Sequence, residues 1–149
     1  MDDSLAVETV LAPVDGSDAS TSAIDCAIEL AERYDASVHA LFVLGRELML
    51  GIDADAVDED TVAESVQTYL ADVRTHAERE GVPVTSSTVH GFSPAQLTHH
   101  PGSVVLDAAD EIHADFIVLP QTRVDEPATV LERVAEYVLG YASQPVLSV

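Results

Sequence analysis

The stretch that decides the fold is residues 10–44, VLAPVDGSDASTSAIDCAIELAERYDASVHALFVL. An apolar run that ends at the turn DGSD predicts a strand over residues 9–14. A helix is predicted over residues 20–34, because apolar residues recur there at the spacing i, i+3, i+4, i+7. These apolar residues are Ile24, Ala27, Ile28 and Ala31. Residues 37–44 are rich in branched and aromatic side chains and predict a second strand.

The rest of the chain continues this alternation of strands and helices. The further predicted helices cover residues 61–80, 103–113 and 129–142, and the further strands cover residues 84–90, 115–120 and 144–149. The third strand is more polar than the others and is expected near an edge. Alternation of this kind predicts one α/β domain over residues 1–149, an open parallel sheet with helices on both faces. The long segments 45–60 and 92–101 are interpreted as surface loops.

A parallel sheet of this kind binds its ligands beyond the carboxyl ends of its strands. Those ends carry DGSD after the first strand, GRELM after the second and PQTR after the fourth. The sequence therefore predicts a ligand crevice at this edge.

The strongest compositional signal is the charge. The chain has 27 acidic residues against six basic ones, all arginine, and a formal net charge of −21. Nucleic acid and anionic membranes are poor partners for such a surface. Acid spread along the whole chain favours a halophilic protein, since molar salt shortens the range of the repulsion to about 3 Å; a basic partner in an ordinary cell is the alternative. No membrane helix or signal peptide is predicted, so a cytoplasmic location is expected.

Three segments resemble the universal stress protein (UspA-type) family: residues 10–44; residues 102–120, GSVVLDAADEIHADFIVLP; and residues 134–149, VAEYVLGYASQPVLSV. The resemblance covers essentially the whole chain. It implies a five-stranded sheet in the order 3-2-1-4-5, of the adenine nucleotide alpha-hydrolase-like type. It also implies a homodimer in which the last strands pair across a two-fold axis. In this chain that strand carries Pro145, Val146, Leu147, Ser148 and Val149.

One branch of the family binds ATP through G-x2-G-x9-G-[ST], between the fourth strand and the fourth helix. In this chain Pro120 and Arg123 stand at the first two glycine positions, and the loop is one residue shorter. Glu132 and Arg133 occupy the Gly-[ST] position. The resemblance therefore implies the branch that lacks the glycine-rich ATP-binding motif.

The chemistry of these replacements agrees with that interpretation. Bare amides at a helix N-terminus favour a phosphate, but Thr129–Glu132 reads T-x-x-E, a capping box whose carboxylate takes the place of the anion. Pro120 also removes one amide from the loop. Arg123 and Arg133 argue the other way, because arginine binds phosphate in bidentate fashion; ion pairs with neighbouring acids are the alternative.

A nucleotide, if one binds, would use a pocket that the resemblance outlines. Asp15 matches the acidic residue that faces the ribose in ATP-binding members, and Val43 lies near the adenine-side position. The full set is Asp15, Val43, Leu119, Pro120, Arg123, Glu132 and Arg133.

Other motifs are weak. There is no Walker A lysine, and residues 53–64 depart from a calcium loop because Asp58 stands where glycine is required. His99 and His100 lack a third metal ligand nearby, and Cys26 lacks the partners of a nucleophile. No metal site and no catalytic residue are therefore expected.

The expected function is that of a dimeric, non-enzymatic stress-response protein that binds or regulates, without a cofactor. The first alternative is an adenine-nucleotide (ATP or AMP) binder with at most slow hydrolysis. The second is a partner-docking module that uses the apolar residues 48–52, which either fold over the crevice or form an interface patch.

Overall fold

A computed structural model describes residues 7–44, 58–90, 101–120 and 130–149. Strands and helices alternate through these ranges as β1 Thr9–Val14, α1 Asp18–Tyr34, β2 Ser37–Leu44, α2 Glu59–Arg79, β3 Val84–His90, α3 Pro101–Glu111, β4 Phe116–Leu119, α4 Val130–Tyr141 and β5 Val146–Ser148. The first three strands have the bounds that the sequence predicts. In the described helices, no segment is both long and apolar enough to cross a membrane.

The five strands form one parallel sheet in the order β3-β2-β1-β4-β5. This order confirms the sheet that the family resemblance implies, and it places the polar strand β3 at an edge as expected. The pairing of β1 with β4 is fixed at its start by Asp115. The Oδ2 atom of Asp115 accepts hydrogen bonds from the amides of Glu8 and Thr9, at 2.9 and 3.1 Å.

Helices cover both faces of the sheet, because the central strands present apolar side chains alternately to the two sides. Val10 of β1 lies in a buried cluster with side chains of α1 and α2. Leu11, the next residue, lies in a second cluster with side chains of α3 and α4. The predicted apolar stripe of α1 is buried in the first cluster, as expected.

The first two helices begin two residues earlier than predicted, because their capping residues stand further upstream. Ser17 caps α1, and its side chain accepts a hydrogen bond from the Ser20 amide at 3.2 Å. Asp58 caps α2 in the same manner. Residues 58–60 of the predicted loop 45–60 therefore belong to the start of a helix, and residues 45–57 lie outside the described ranges.

The later elements also differ at their ends. Helix α3 begins at Pro101, since proline is well suited to the first helical position, and the rest of the predicted loop 92–101 is outside the described ranges. It ends at Glu111, and His113, predicted as its last residue, follows in a left-handed conformation with φ 55°. Strand β4 is confined to Phe116–Leu119 and β5 to Val146–Ser148, both shorter than predicted.

Candidate functional site

The carboxyl ends of β1 and β4 lie side by side at the centre of the sheet, where the sequence predicts the ligand crevice. Asp15 follows β1 directly and is half-exposed. Its Oδ1 atom accepts a hydrogen bond from the Ser17 amide at 3.0 Å. Between them Gly16 has φ 84°, a left-handed conformation that glycine adopts without strain. The Asp15 carboxylate therefore takes part in the turn that leads into α1.

Two predicted pocket residues form part of the core beneath this edge. Val43 of β2 is 1% exposed and Leu119 of β4 is fully buried. Both belong to the cluster that includes Leu131, in the first turn of α4. Pro120, directly after β4, is also buried. Beneath the predicted crevice the core is thus packed by the protein's own side chains.

The charged residues predicted for the crevice are placed only in part. Arg133 lies in the first turn of α4 and is exposed to solvent. Glu132 precedes it in the same turn. Arg123 and Thr129 lie outside the described residues. The capping box predicted for residues 129–132 begins at Thr129, so it stays a prediction.

A group of hydroxyls that sequence reasoning missed joins α1 to α2 at the start of α1. Ser20 is fully buried, and its Oγ atom donates a hydrogen bond to the Ser17 carbonyl at 2.9 Å. The Tyr69 hydroxyl lies 3.1 Å from Ser20 Oγ and 3.2 Å from Thr21 Oγ1. The Tyr69 ring stands edge-on to Phe42, with centroids 5.8 Å apart. The sequence carried one signal for the buried position of Ser20, which stands one helical turn before the apolar stripe of α1.

The remaining candidates provide no metal site within the described ranges. No group of three or more His, Cys, Asp or Glu side chains there is arranged to hold an ion. The acidic positions 53–57, the apolar residues 48–52 and the histidines 99–100 are outside those ranges. Burial, and then the charge of Glu29, raise the pKa of the Cys26 thiol, so the nucleophilic thiolate is disfavoured.

Strand β5, predicted to pair with a second subunit, forms the opposite edge of the sheet from β3. Its residues Val146, Leu147 and Ser148 pair with β4. Leu147 is 37% exposed and the following Val149 is 41% exposed, while Val146 packs against the cluster beneath α3 and α4. An apolar edge of this kind is a surface on which another strand can pair.

A parallel five-stranded sheet in the order β3-β2-β1-β4-β5, with helices on both faces, defines a doubly wound α/β protein. A model of the universal stress protein family matches residues 6–149. The universal stress protein MJ0531 of Methanocaldococcus jannaschii is 31% identical over 144 residues, which cover 94% of this chain and 80% of that relative. The chain therefore belongs to the universal stress protein family.

Solved structures share the fold. The universal stress protein UspA of Lactobacillus plantarum matches with a TM-score of 0.73 at 21% identity, over 95% of this chain and 97% of that one. A universal stress protein of Archaeoglobus fulgidus, solved in complex with dAMP, matches with a TM-score of 0.63 at 21% identity, over 97% of this chain and 98% of that one. At these identities the likeness shows the fold alone.

Proposed function

We propose that this chain is a stress-response protein that binds or regulates without catalysis, and that it does not bind ATP through the usual motif of its family. The observation that carries the proposal is the connection from β4 into α4. Between Leu119 and Leu139 the sequence contains no glycine, and a proline follows β4 at once.

The physical reason is that a triphosphate needs backbone amides brought close to it. Pro120 has no amide hydrogen and a restricted φ. Glu132 adds an acidic residue to the first turn of α4, where the helix dipole would otherwise favour a phosphate. Repulsion and lost amide contacts together cost several kcal/mol, which weakens binding by more than about 100-fold.

A thermal-shift titration with ATP·Mg in molar salt tests this proposal. A dissociation constant of about 10 μM would stabilise the protein by about 2.7 kcal/mol at 1 mM nucleotide. For a domain of this size that is a rise in Tm of about 5–10 °C. We expect a shift below about 1 °C, and a rise of the larger size would overturn the proposal.

The double variant Glu132→Gly with Arg133→Ser restores the family's Gly-[ST] pair at the start of α4. The proposal predicts a measurable gain of ATP affinity in this variant. The matched control is Glu136→Gly with Arg79→Ser, which removes one acidic and one arginine residue at exposed positions outside that turn. Both double variants leave the net charge unchanged, so a gain in both would mean that the loss of these side-chain types in general, and not the change at the helix start, raises the affinity.

An adenine-nucleotide binder with at most slow hydrolysis is the second candidate, built on Asp15, Val43, Arg123 and Arg133. The dAMP complex of the Archaeoglobus relative favours it, as does the exposed arginine in the first turn of α4. Calorimetry with AMP, comparing Arg133→Gln with the exposed control Arg79→Gln, separates the two candidates. Binding that only Arg133→Gln weakens would support the nucleotide function.

The proposal includes a homodimer formed through β5 in the cytoplasm of a salt-rich cell. The dimer is supported by the exposed Leu147 of the edge strand and by the exposed Val149 that follows it. A salt-rich cell is supported by the net charge of −21 and by the lack of lysine in the sequence. Sedimentation in molar KCl should give twice the 15.8 kDa chain mass. Leu147→Asp should give a monomer, while Tyr34→Asp, a new charge at another exposed apolar residue, should stay dimeric. A monomeric wild type contradicts the dimer.

A further inference from the structure

His39 stands on the face of β2 that is turned away from α1 and α2. Its neighbours Val38 and Ala40 point into the cluster beneath those helices, so the alternation of the strand turns His39 to the other side. On the neighbouring edge strand β3, Thr85 is its register partner, and Ser87, two residues on, faces the same side. Thr85 and Ser87 are exposed, and His39 is half-buried.

Both ring nitrogens of His39 are hydrogen-bonded to these hydroxyls. Nδ1 lies 2.7 Å from Thr85 Oγ1, and Nε2 lies 2.8 Å from Ser87 Oγ. A neutral imidazole donates from one nitrogen and accepts at the other. When Nδ1–H donates to Thr85, Nε2 accepts the hydrogen bond of Ser87. In this arrangement Ser87 stands to His39 as a nucleophile stands to its base, and Thr85 stands to His39 as the group that orients the base.

The protonation state of the ring suits a base. Burial lowers the pKa of the His39 imidazole below its ordinary value of 6.5, because the charged form loses hydration. Among the described residues, His76 forms an ion pair with Asp25, whereas no carboxylate forms one with His39. Its register partner on β1 is the apolar Leu11. The ring is therefore neutral at neutral pH, and in the Nδ1–H tautomer its lone pair lies on Nε2, towards Ser87.

We propose that Ser87 is a reactive nucleophile, which His39 activates as a general base and Thr85 orients, and that it takes the acyl group of small activated esters. The site lies in the middle of edge strand β3, apart from the crevice predicted at the carboxyl ends of β1 and β4, and it does not depend on the function proposed there.

The step is an acyl transfer. Ser87 Oγ attacks the ester carbonyl carbon while its proton passes to Nε2 of His39. The tetrahedral intermediate then collapses, and the bond from carbon to the leaving oxygen breaks. The leaving oxygen keeps the electron pair and takes the proton from His39, so the products are an ester on Ser87 and a free alcohol or phenol. Thr85 acts as a positioning residue, since its oxygen holds the Nδ1–H tautomer.

The test uses p-nitrophenyl acetate with the full-length protein in molar salt. Release of p-nitrophenolate gives the rate, and peptide mass mapping locates the acetyl group. We expect one acetyl group on Ser87 and none there in Ser87→Ala. The matched control is Ser86→Ala, because Ser86 lies on the same strand but its Oγ accepts a hydrogen bond from Arg74 of α2 at 3.4 Å on the opposite face. It should react like the wild type.

The roles of His39 and Thr85 are tested by rate and pH profile. His39→Gln should lower the rate at Ser87 by about 100-fold, the lower end of what a general base contributes. In the wild type the rate should reach a plateau once the pH exceeds the lowered pKa of His39. Thr85→Val should slow acylation, and Thr85→Ser, which keeps the hydroxyl, should restore it. Acetylation confined to other residues, or a rate at Ser87 unchanged in His39→Gln, would overturn the proposal.

Discussion

Gly102, near the start of α3, is buried at the contact between α3 and α4. A Cβ atom at this position would lie 2.4 Å from Cβ of Tyr137 and 2.7 Å from its Cγ. Carbon atoms in favourable contact are about 3.5–4.0 Å apart. Substitution by alanine therefore forces the two helices to separate locally by about 1 Å, because the obstructing atom is the base of the side chain and not its flexible end.

Two effects of opposite sign decide the result of Gly102→Ala. Replacing glycine by alanine in a helix gains about 1 kcal/mol. Overpacking a well-filled contact costs about 1–3 kcal/mol, and the 2.4 Å approach puts this site at the upper end. The net loss is about 1–2 kcal/mol, which lowers the Tm of a domain of this size by about 2–8 °C.

Gly140→Ala is the matched control, since it makes the same substitution in α4. An added Cβ at Gly140 meets nothing within 4 Å, and the residue is exposed. This variant should gain stability, by up to about 1 kcal/mol. The assay is urea and thermal unfolding of both variants in the same molar salt. If Gly102→Ala were as stable as the wild type, or if both variants lost stability equally, the close packing at Gly102 would not be the cause.

Three further predictions concern single side chains. Tyr69→Phe should lower the free energy of unfolding by about 1 kcal/mol, because the contacts of its hydroxyl with the group around the buried Ser20 are lost while the ring packing stays; an unchanged urea midpoint would argue against those contacts. The pKa of His39 is lower in the folded protein than its ordinary 6.5, so the unfolded chain binds a proton first as the pH falls. The wild type should therefore lose stability below about pH 6.5 relative to His39→Gln. Parallel curves of unfolding free energy from pH 8 to pH 5 for the two proteins would contradict this. Because burial raises the pKa of the Cys26 thiol, iodoacetamide should alkylate it slowly in the folded protein and quickly in urea, and rapid labelling of the folded protein at pH 7.5 would contradict the raised pKa.

Sequence patterns predicted most of the fold because each element carries its own signal. The spacing of apolar residues identified α1, and three strands were predicted with the bounds that the structure has. The errors lie at the ends of elements, among them the helix starts. Ser17 and Asp58 cap helices that begin two residues before the predicted starts, because many polar residues can cap and the periodic apolar residues begin only further along.

The crevice at the carboxyl ends of the strands stays a prediction. The turn DGSD after the first strand and the resemblance to the family proposed Asp15 and Val43 for it. The sequence could not show that Val43 and Leu119 pack with Leu131 in one buried cluster, because residues distant along the chain become neighbours only through the crossing of α4 over the sheet.

The alternation of strands and helices in the sequence, and the absence of glycine between Leu119 and Leu139, follow from the order of residues alone. They establish an α/β fold and a connection from β4 into α4 that contains no glycine. The group formed by His39, Thr85 and Ser87 depends on the packing in three dimensions. His39 is 46 positions from Thr85 and 48 from Ser87, and the three meet because the register of two parallel strands sets His39 beside Thr85. Periodicity tells which face a side chain takes, whereas its partner on the next strand depends on register, which no single segment of the chain encodes.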